Sequence, residues 1–262
     1  MSKTGITIIG ILAFLLIISV FIGKTSKKTL DWTPTFNTKD KIPLGLYILD
    51  KEIDSFFNVY VDRYKDDLKE YFYEGVFEDS VLYDYCLLNI NATFDTDKDQ
   101  IKNLCAFARN GNNVFLSATS FPLALMDSLG LQIISMPYLP FQNMNQDTIT
   151  LRLSDSLSTK QSITASKTLT GSHFESIDKS RTEILGTRKL NKSNKPNFVQ
   201  VNVGEGHFFI HLEPAVFSNF HFMQGNDYLY TESVLSYIPE YQDIVWLLHK
   251  QTSRVISDSP LR

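Results

Sequence analysis

The segment from residue 83 to residue 130 constrains the fold more than any other part of the sequence. Two continuous apolar runs of strand length, YDYCLLNI (83–90) and NVFLSA (113–118), are each followed by a stretch of helical period. Strand, helix, strand and helix at this spacing predict a parallel sheet with right-handed crossovers. We therefore expect an α/β fold.

The first helical stretch, over 95–110, carries strong helix signals. Thr96 is predicted to cap its amino terminus, and Gly111 follows where a left-handed residue is favoured. A second, short helix is predicted over 122–129, ending at Gly130. The face of the first helix that is expected to be buried consists of Ile101, Leu104, Cys105 and Ala108.

The remaining segments predict a mixture of elements. Residues 44–57 have the spacing of an amphipathic helix, whereas residues 62–80 give no clear assignment. After residue 142 the pattern becomes alternating, and VQVNV (199–203) and HFFIHL (207–212) predict a β-hairpin. Residues 230–238 predict a helix that Pro239 ends, and DIVWLL (243–248) predicts one more buried strand.

An uncharged stretch from Gly5 to Gly23 precedes the predicted domain. At 1.5 Å per residue it nearly matches the ~30 Å hydrocarbon core of a bilayer. We predict one transmembrane helix, with residues 1–28 forming an N-terminal anchor and its basic flank. A cleaved signal peptide is the alternative, but the apolar stretch is long for one, and no small-x-small cleavage site follows Ile22.

Residues 29–262 are predicted to form a single α/β domain, with two small domains as the alternative. The net charge of the whole chain is −4, and it becomes −8 when the four lysines of residues 1–28 are set aside. Such an acidic domain disfavours nucleic acid as a partner, because phosphate binding depends on clustered Lys and Arg. The lysines that flank the apolar stretch mildly favour a cytoplasmic domain by the positive-inside rule.

The loops at the carboxyl ends of the two predicted parallel strands are the expected place for a ligand. They supply Asn91, Thr93, Thr119 and Ser120. Neither Ser120 nor Ser117 has the glycines of a nucleophile elbow. We therefore predict ligand-binding residues here and no catalytic residue.

His211 and Glu213 end a predicted strand and resemble half of the Cys-His-Glu triad of class I glutamine amidotransferases. Without a nucleophile the pair has nothing to activate. A degenerate hydrolase is the alternative if His211 and Glu213 lie within ~2.6–3.2 Å of Ser117, Ser120 or Cys86. Both residues, together with Asn219, are otherwise predicted to contact a ligand.

Other chemistry has weak support in the sequence. The histidines show no spacing typical of metal ligands, so we predict no metal and no cofactor. Cys86 and Cys105 are expected to be buried thiols, with a disulfide as an open alternative. Carbohydrate binding is a third functional possibility, through an aromatic cluster that consists of Phe217, Phe220, Phe222, Tyr228 and Tyr230.

Several segments together resemble the bacterial domain of unknown function (DUF) 4350 family. They are WTPTF (32–36) with IPLGLY (42–47), NGNNVFLSA (110–118) followed by LMDSLG (125–130), and HLEPAVFSNFHF (211–222). The resemblance covers roughly Trp32 to Arg262. It implies a flavodoxin-like, amidotransferase-like α/β domain without the catalytic triad, in an anchored protein that is often encoded beside a MoxR-type ATPase.

The resemblance also implies where the protein resides. Its relatives place the domain outside the cytoplasm, so we expect a single-pass protein of the bacterial inner membrane with a periplasmic domain. This chain has WLLH (246–249) where the family commonly has an acidic Trp-Asp-Glu-Tyr-like motif. Family members usually continue into a second span, so the sequence is expected to be a piece of a longer protein or a short variant.

Together these observations favour a non-catalytic binding or scaffold protein. Its expected partners are the lipid bilayer, through residues 5–23, and a membrane protein.

Overall fold

The computed structural model describes residue 14 and residues 30–65, 68–73, 84–136, 148–154, 163–166, 171–190 and 193–248. Contacts between Cα atoms divide the chain into two units, Met1–Asp31 and Trp32–Arg262. The predicted anchor lies outside the described residues except for Phe14, so it stays a prediction. None of the helices within the described ranges is both long and apolar enough to cross a membrane.

The second unit combines helices with a β-sheet. The helices are α1 (Tyr47–Phe57), α2 (Leu68–Tyr73), α3 (Lys98–Arg109), α4 (Leu123–Leu129), α5 (Asn219–Phe222) and α6 (Tyr228–Leu235), with a 3-10 turn at Pro214–Phe217. The strands are β1 (Val61–Tyr64), β2 (Tyr85–Ile90), β3 (Asn113–Ser117), β4 (Leu131–Ile134), β5 (Thr148–Leu153), β6 (Ile163–Ser166), β7 (His173–Ile177), β8 (Thr182–Leu190), β9 (Ser193–Val203), β10 (Gly206–His211) and β11 (Asp243–Leu247).

Over the described residues, nine strands form one sheet in the order β1-β11-β2-β3-β10-β9-β8-β5-β6. The strands from β1 to β10 in this order run parallel, and those from β10 to β6 pair antiparallel. Strands β4 and β7 form a separate antiparallel pair. The predicted α/β class, with parallel strands and added hairpin strands, is confirmed, and the antiparallel part is larger than expected.

Two apolar cores lie on opposite faces of the sheet. Helices α2, α3 and α4 pack with β4 and β7 in one core, and α1, α6 and the 3-10 turn pack in the other. Successive strand residues point to opposite faces, so Leu87 of β2 enters the first core while Cys86 and Leu88 enter the second. Since β2 is covered on both faces, it has to be a continuous apolar run.

Helix α3 forms as predicted, with one correction at its amino terminus. Asp97, and not Thr96, is the N-cap: its carboxylate accepts hydrogen bonds from the N–H groups of Asp99 and Gln100 at 2.9 and 2.8 Å. A carboxylate at this position satisfies two otherwise unpaired donors and opposes the helix dipole. The four residues of the predicted apolar face, Ile101, Leu104, Cys105 and Ala108, are all buried.

The predicted hairpin is confirmed as β9 and β10, joined by a tight turn. Gly204 has a φ of +66°, and a Cβ there would lie 2.6 Å from the Cα of Arg109. A Cβ at Gly206 would lie 2.0 Å from the carbonyl oxygen of Asn112. The turn needs glycine at both positions because it packs against the end of α3.

Arg63 of β1 uses all five of its N–H groups, four of them to hold α1 and one to bind its own strand. Its Nε donates to Asp50 Oδ1 at 2.6 Å, and its Nη2 donates to Asp54 Oδ2 and to the Asp50 carbonyl, both at 2.8 Å. Its Nη1 donates to Asp54 Oδ1 and to the carbonyl of Val61. Hydrogen bonding to Arg63 lowers the pKa of Asp54. This fork fixes a short edge strand that the sequence did not reveal.

We expect Arg63→Lys to lower the free energy of unfolding by about 1–2 kcal/mol at pH 7, measured by urea denaturation, because one ammonium cannot replace a planar five-donor fork. The pKa of Asp54 is lowered in the folded state, so its contribution is present above the ordinary value of 3.8 and is lost as the pH falls below it. The difference between wild type and variant should shrink in that acidic range.

Arg181→Lys is the matched control for this measurement. Arg181 donates to Asp178 and to the carbonyl of Ser128 in more exposed surroundings. Exposed ion pairs contribute at most about 1 kcal/mol. An equal loss in both variants would contradict a special role for Arg63.

Candidate functional site

The four predicted loop residues lie together at the carboxyl ends of β2 and β3. Asn91 and Thr93 follow β2, while Thr119 and Ser120 follow β3. Thr93 and Ser120 pair in an isolated parallel bridge. The structure thus brings these residues together at the edge of the sheet where α/β proteins bind ligands.

Most polar groups of these two loops hold the loops to each other. Thr119 donates to the carbonyl of Ala92 through its hydroxyl at 2.7 Å and through its N–H at 3.0 Å. Asn91 Oδ1 accepts a hydrogen bond from the N–H of Ala92 at 2.8 Å. Asn91 and Thr119 are buried, Ser120 is half-buried and Thr93 is exposed. Of the four, Thr93 and Ser120 are therefore the ones that a ligand could reach.

Asn219 supports the leading loop of the domain. Its buried Nδ2 donates to the carbonyls of Asp40 and Ile42, both at 2.8 Å, and its Oδ1 accepts from the N–H of Ile48 at 2.8 Å. These contacts use both amide donors and the acceptor oxygen. Asn219 thus has a structural role in the fold, and its predicted contact with a ligand stays a prediction.

His211 lies inside the domain next to a serine hydroxyl. Ser117 and His211 are paired residues of the adjacent parallel strands β3 and β10, and Ser117 Oγ lies 3.0 Å from His211 Nδ1. The backbone N–H of Glu213 can only donate, and it points at the same Nδ1 from 3.4 Å. Nδ1 is thus the acceptor, so the proton resides on Nε2, which lies 3.2 Å from the hydroxyl oxygen of Tyr230.

This arrangement is sealed within the core. Ser117 and His211 have no exposed surface, and Tyr230 is 1% exposed. The rings of Phe198 and Phe217 lie 5.3 and 5.5 Å from the imidazole. Burial, with a smaller effect from the charge of Arg188, lowers the pKa of His211 to about 3. The imidazole is therefore neutral and a weak base at physiological pH.

Glu213 forms an ion pair in the interior. Its Oε2 lies 3.3 Å from Nη1 of Arg188, and both side chains are fully buried. The same Nη1 donates to the carbonyl of Ser172 at 3.2 Å. The sequence did not reveal Arg188, because an arginine in an alternating strand is ordinarily exposed. Glu213 therefore pairs with a cation in the core, and its predicted contact with a ligand stays a prediction.

The structure also contains a pocket that sequence reasoning missed. It has a volume of about 250 Å³ and lies beyond the carboxyl ends of β1, β11 and β2. Ile90, Lys65 and residues 246–248 form one side, and the loop 35–39 forms the other. The one sequence signal for this pocket is the end of the buried strand predicted at DIVWLL (243–248). Strand β1 is not predicted from the sequence, so nothing there indicates that Lys65, which follows β1, lies beside it.

The remaining predicted groups are part of the core or its border. Cys86 and Cys105 are free and buried, so the alternative of a disulfide is wrong. Burial raises the pKa of both thiols, which makes them poor nucleophiles. Among the described residues, no group of three His, Cys, Asp or Glu side chains could hold a metal ion.

The aromatic cluster considered for carbohydrate binding is not an open platform. Phe217 and Tyr230 are buried, and the other three rings are half-buried. Phe220 packs edge to face on Trp32, with ring centroids 5.1 Å apart. These rings mainly fill the space between the sheet and its helices.

Comparisons with known proteins show a fold and no family. The chain matches no protein-family profile and no curated protein. It is similar to the solved mmIFT52 N-terminal domain, with a TM-score of 0.53 and 12% identity, over 74% of this chain and 89% of that one. This likeness concerns the fold alone.

Weaker matches include two larger enzymes. One is an exo-β-1,4-mannosidase from Opitutaceae bacterium strain TAV5, with a TM-score of 0.38 and 17% identity, over 58% of this chain and 24% of that one. The other is a GH42 β-galactosidase from G. stearothermophilus, with a TM-score of 0.42 and 10% identity, over 62% and 22%. The chain spans about a quarter of the length of these enzymes.

The buried imidazole predicts a pH dependence of stability. Between the ordinary pKa of 6.5 and the folded value of about 3, the unfolded chain binds one more proton than the folded chain. Stability should therefore fall as the pH falls through this window, by up to about 1.4 kcal/mol per pH unit from this group. His211→Gln should show a shallower slope in urea denaturation between pH 6 and pH 4.

NMR of the unaltered protein tests the same prediction without a variant. The ring protons of His211 should not titrate between pH 8 and pH 5, whereas a titration midpoint near 6.5 would contradict a buried neutral imidazole. His207→Gln is the control for the slope, because His207 is half-buried and burial lowers its pKa as well. Its effect should be the smaller of the two.

Proposed function

We propose that this chain is a membrane-anchored binding or scaffold protein whose α/β domain does not catalyse a reaction. The burial of the Ser117–His211 pair is the observation that supports this most. A reacting carbon has to come within about 3–3.5 Å of the nucleophile, and Ser117 Oγ has no exposed surface. A histidine with a pKa of about 3 is also poorly matched to proton transfer near pH 7.

In this proposal the domain belongs to the flavodoxin-like, amidotransferase-like folds. The parallel strands from β1 to β10 with helices on both faces support this, as does the resemblance to the DUF 4350 family. The His-x-Glu segment at the end of β10 has the position expected of half a triad. Its carboxylate, however, pairs with Arg188, which is a structural use of the same residues.

The anchor and partner are also part of the proposal. The apolar stretch 5–23 would hold the protein in the inner membrane of a bacterium, with the domain in the periplasm. A membrane protein encoded beside a MoxR-type ATPase would be its partner. The support for both comes from the sequence and from the family resemblance.

A degenerate hydrolase is the second candidate, and one observation favours it. The Ser117 hydroxyl donates to His211 Nδ1 at 3.0 Å, which is the geometry of a nucleophile beside its base. Tyr230, and not a carboxylate, lies at the other nitrogen. Such an enzyme would have to open the layer of side chains that covers β3 and β10.

A serine-reactive fluorophosphonate probe separates the two candidates. Because Ser117 is sealed in the core, we expect the folded protein to show no labelling above that of Ser117→Ala, and no hydrolysis of p-nitrophenyl acetate above that of His211→Gln. Ser120→Ala is the matched control, since Ser120 is half-buried and follows the same strand. Labelling that is lost in Ser117→Ala and kept in Ser120→Ala would refute the non-catalytic proposal.

Cysteine accessibility tests the proposed topology. A membrane-impermeant maleimide should label the Ser253→Cys variant in intact cells and the Ser2→Cys variant only after lysis, because the two positions flank the apolar stretch. The unsubstituted protein is the control, and it should stay unlabelled because Cys86 and Cys105 are buried. Labelling of the Ser2→Cys variant in intact cells would show the opposite orientation.

A further inference from the structure

We infer that the pocket beyond β1, β11 and β2 binds a small anion with an apolar part, such as an aromatic carboxylate or an aryl phosphate monoester. The inference rests on the proposed binding function and names its ligand class. The pocket volume of about 250 Å³ lies just below the ~300 Å³ at which sites for drug-sized ligands begin, so the ligand is small.

The charge of the pocket is the first argument. Lys39 and Lys65 lie at its lining and are both exposed, and the described lining residues include no Asp or Glu. Neither lysine takes part in an ion pair among the described residues. Two lysines without an ion pair among the described residues, on a domain with a net charge of −8 over residues 29–262, favour the binding of an anion at this pocket.

The hydrogen-bonding capacity of loop 35–39 is the second argument. The buried hydroxyl oxygen of Thr35 has no hydrogen-bond partner among the described residues. A buried polar atom without a partner is costly, so a ligand oxygen at this position would satisfy it. Asn37 and Thr38 add further polar groups to the same wall.

The backbone of this loop is held in an uncommon conformation. Phe36 has a φ of +44°, which a residue with a side chain rarely adopts. Its ring is buried, and its N–H donates to the carbonyl of Leu44 at 3.0 Å. Strained backbone of this kind is found at ligand clamps, and here it presents the neighbouring Thr35 and Asn37 to the pocket.

The apolar part of the ligand follows from the opposite wall. Ile90 ends β2, Trp246 and Leu247 end β11, and Leu248 follows it. Ile90, Trp246 and Leu247 are buried and Leu248 is half-buried, so Leu248 is the apolar side chain that a ligand next to the lysines would meet first. Pockets at the carboxyl ends of parallel strands are the usual ligand sites of α/β folds. An anion with a ring or short chain matches both walls at once.

Titration of the full-length protein in detergent micelles with benzoate, phenyl phosphate and benzyl alcohol tests the inference. Calorimetry gives the affinity, and fluorescence of Trp246 in a Trp32→Phe background reports on the pocket. We expect one or both anions to bind at least tenfold more tightly than neutral benzyl alcohol. The tighter anion identifies the ligand as a carboxylate or a phosphate.

Variants locate the binding. Lys39→Gln and Lys65→Gln should each weaken anion binding about fivefold, since each removes one charge-assisted contact. Thr35→Val should weaken it about twofold. Lys179→Gln is the control for an exposed lysine elsewhere, and it should bind as the wild type does.

Three results would contradict anion binding at this pocket: no binding of either anion, equal binding of benzyl alcohol, or unchanged affinity in both pocket lysine variants. Phosphorus NMR of the phenyl phosphate samples tests the proposed function separately. Release of inorganic phosphate would contradict a non-catalytic domain while leaving the anion pocket in place. Intact phenyl phosphate that shifts the Trp246 fluorescence supports both.

Discussion

The ion pair between Arg188 and Glu213 joins the two halves of the sheet. Arg188 belongs to the antiparallel strand β8, while Glu213 follows β10, where the parallel half ends; their charged atoms lie 3.3 Å apart with no exposed surface. A buried charge without a partner costs several kcal/mol, so the ion pair favours the placement of β8 at which the two groups meet. The carbonyl of Ser172, which also accepts from Arg188, ties the start of β7 to the same point.

The same ion pair governs the chemistry of its surroundings. Its carboxylate is committed to an arginine, and the positive charge of that arginine adds to the burial that lowers the pKa of His211. The arginine that pairs with Glu213 and joins the sheet therefore also makes His211 a weaker base. The Ser117 hydroxyl lies 3.0 Å from the His211 imidazole, and the two groups form a hydrogen bond within the core. Distance alone would suggest a nucleophile, whereas burial and charge support the proposed structural role.

The sequence predicts those parts of the fold whose signals are local. The continuous apolar runs of β2 and β3, the period of α3 and the two strand segments of the β9–β10 hairpin are all local signals, and all three predictions are confirmed. Strand β1 has only four residues and depends on contacts with α1 and β11, so no periodicity marks it. Arg188 and Glu213 are 25 residues apart, and Ser117 and His211 are 94 apart. Such pairs follow from strand order, which local patterns do not contain.

The candidate binding residues also differ in whether neighbouring or distant parts of the sequence determine them. The loops after β2 and β3 could be named from the sequence because they follow recognisable strands, yet their polar groups are mostly used between themselves. The pocket, whose two lysines form no ion pair among the described residues, depends on four segments that are distant in the chain: the loop 35–39 and the ends of β1, β2 and β11. Polar groups that satisfy one another stabilise a fold, and those left without partners remain available to a ligand. By this criterion the proposed binding surface is at the β1 side of the sheet, where Arg63 fixes the edge strand that Lys65 follows, and not at the histidine that first suggests catalysis.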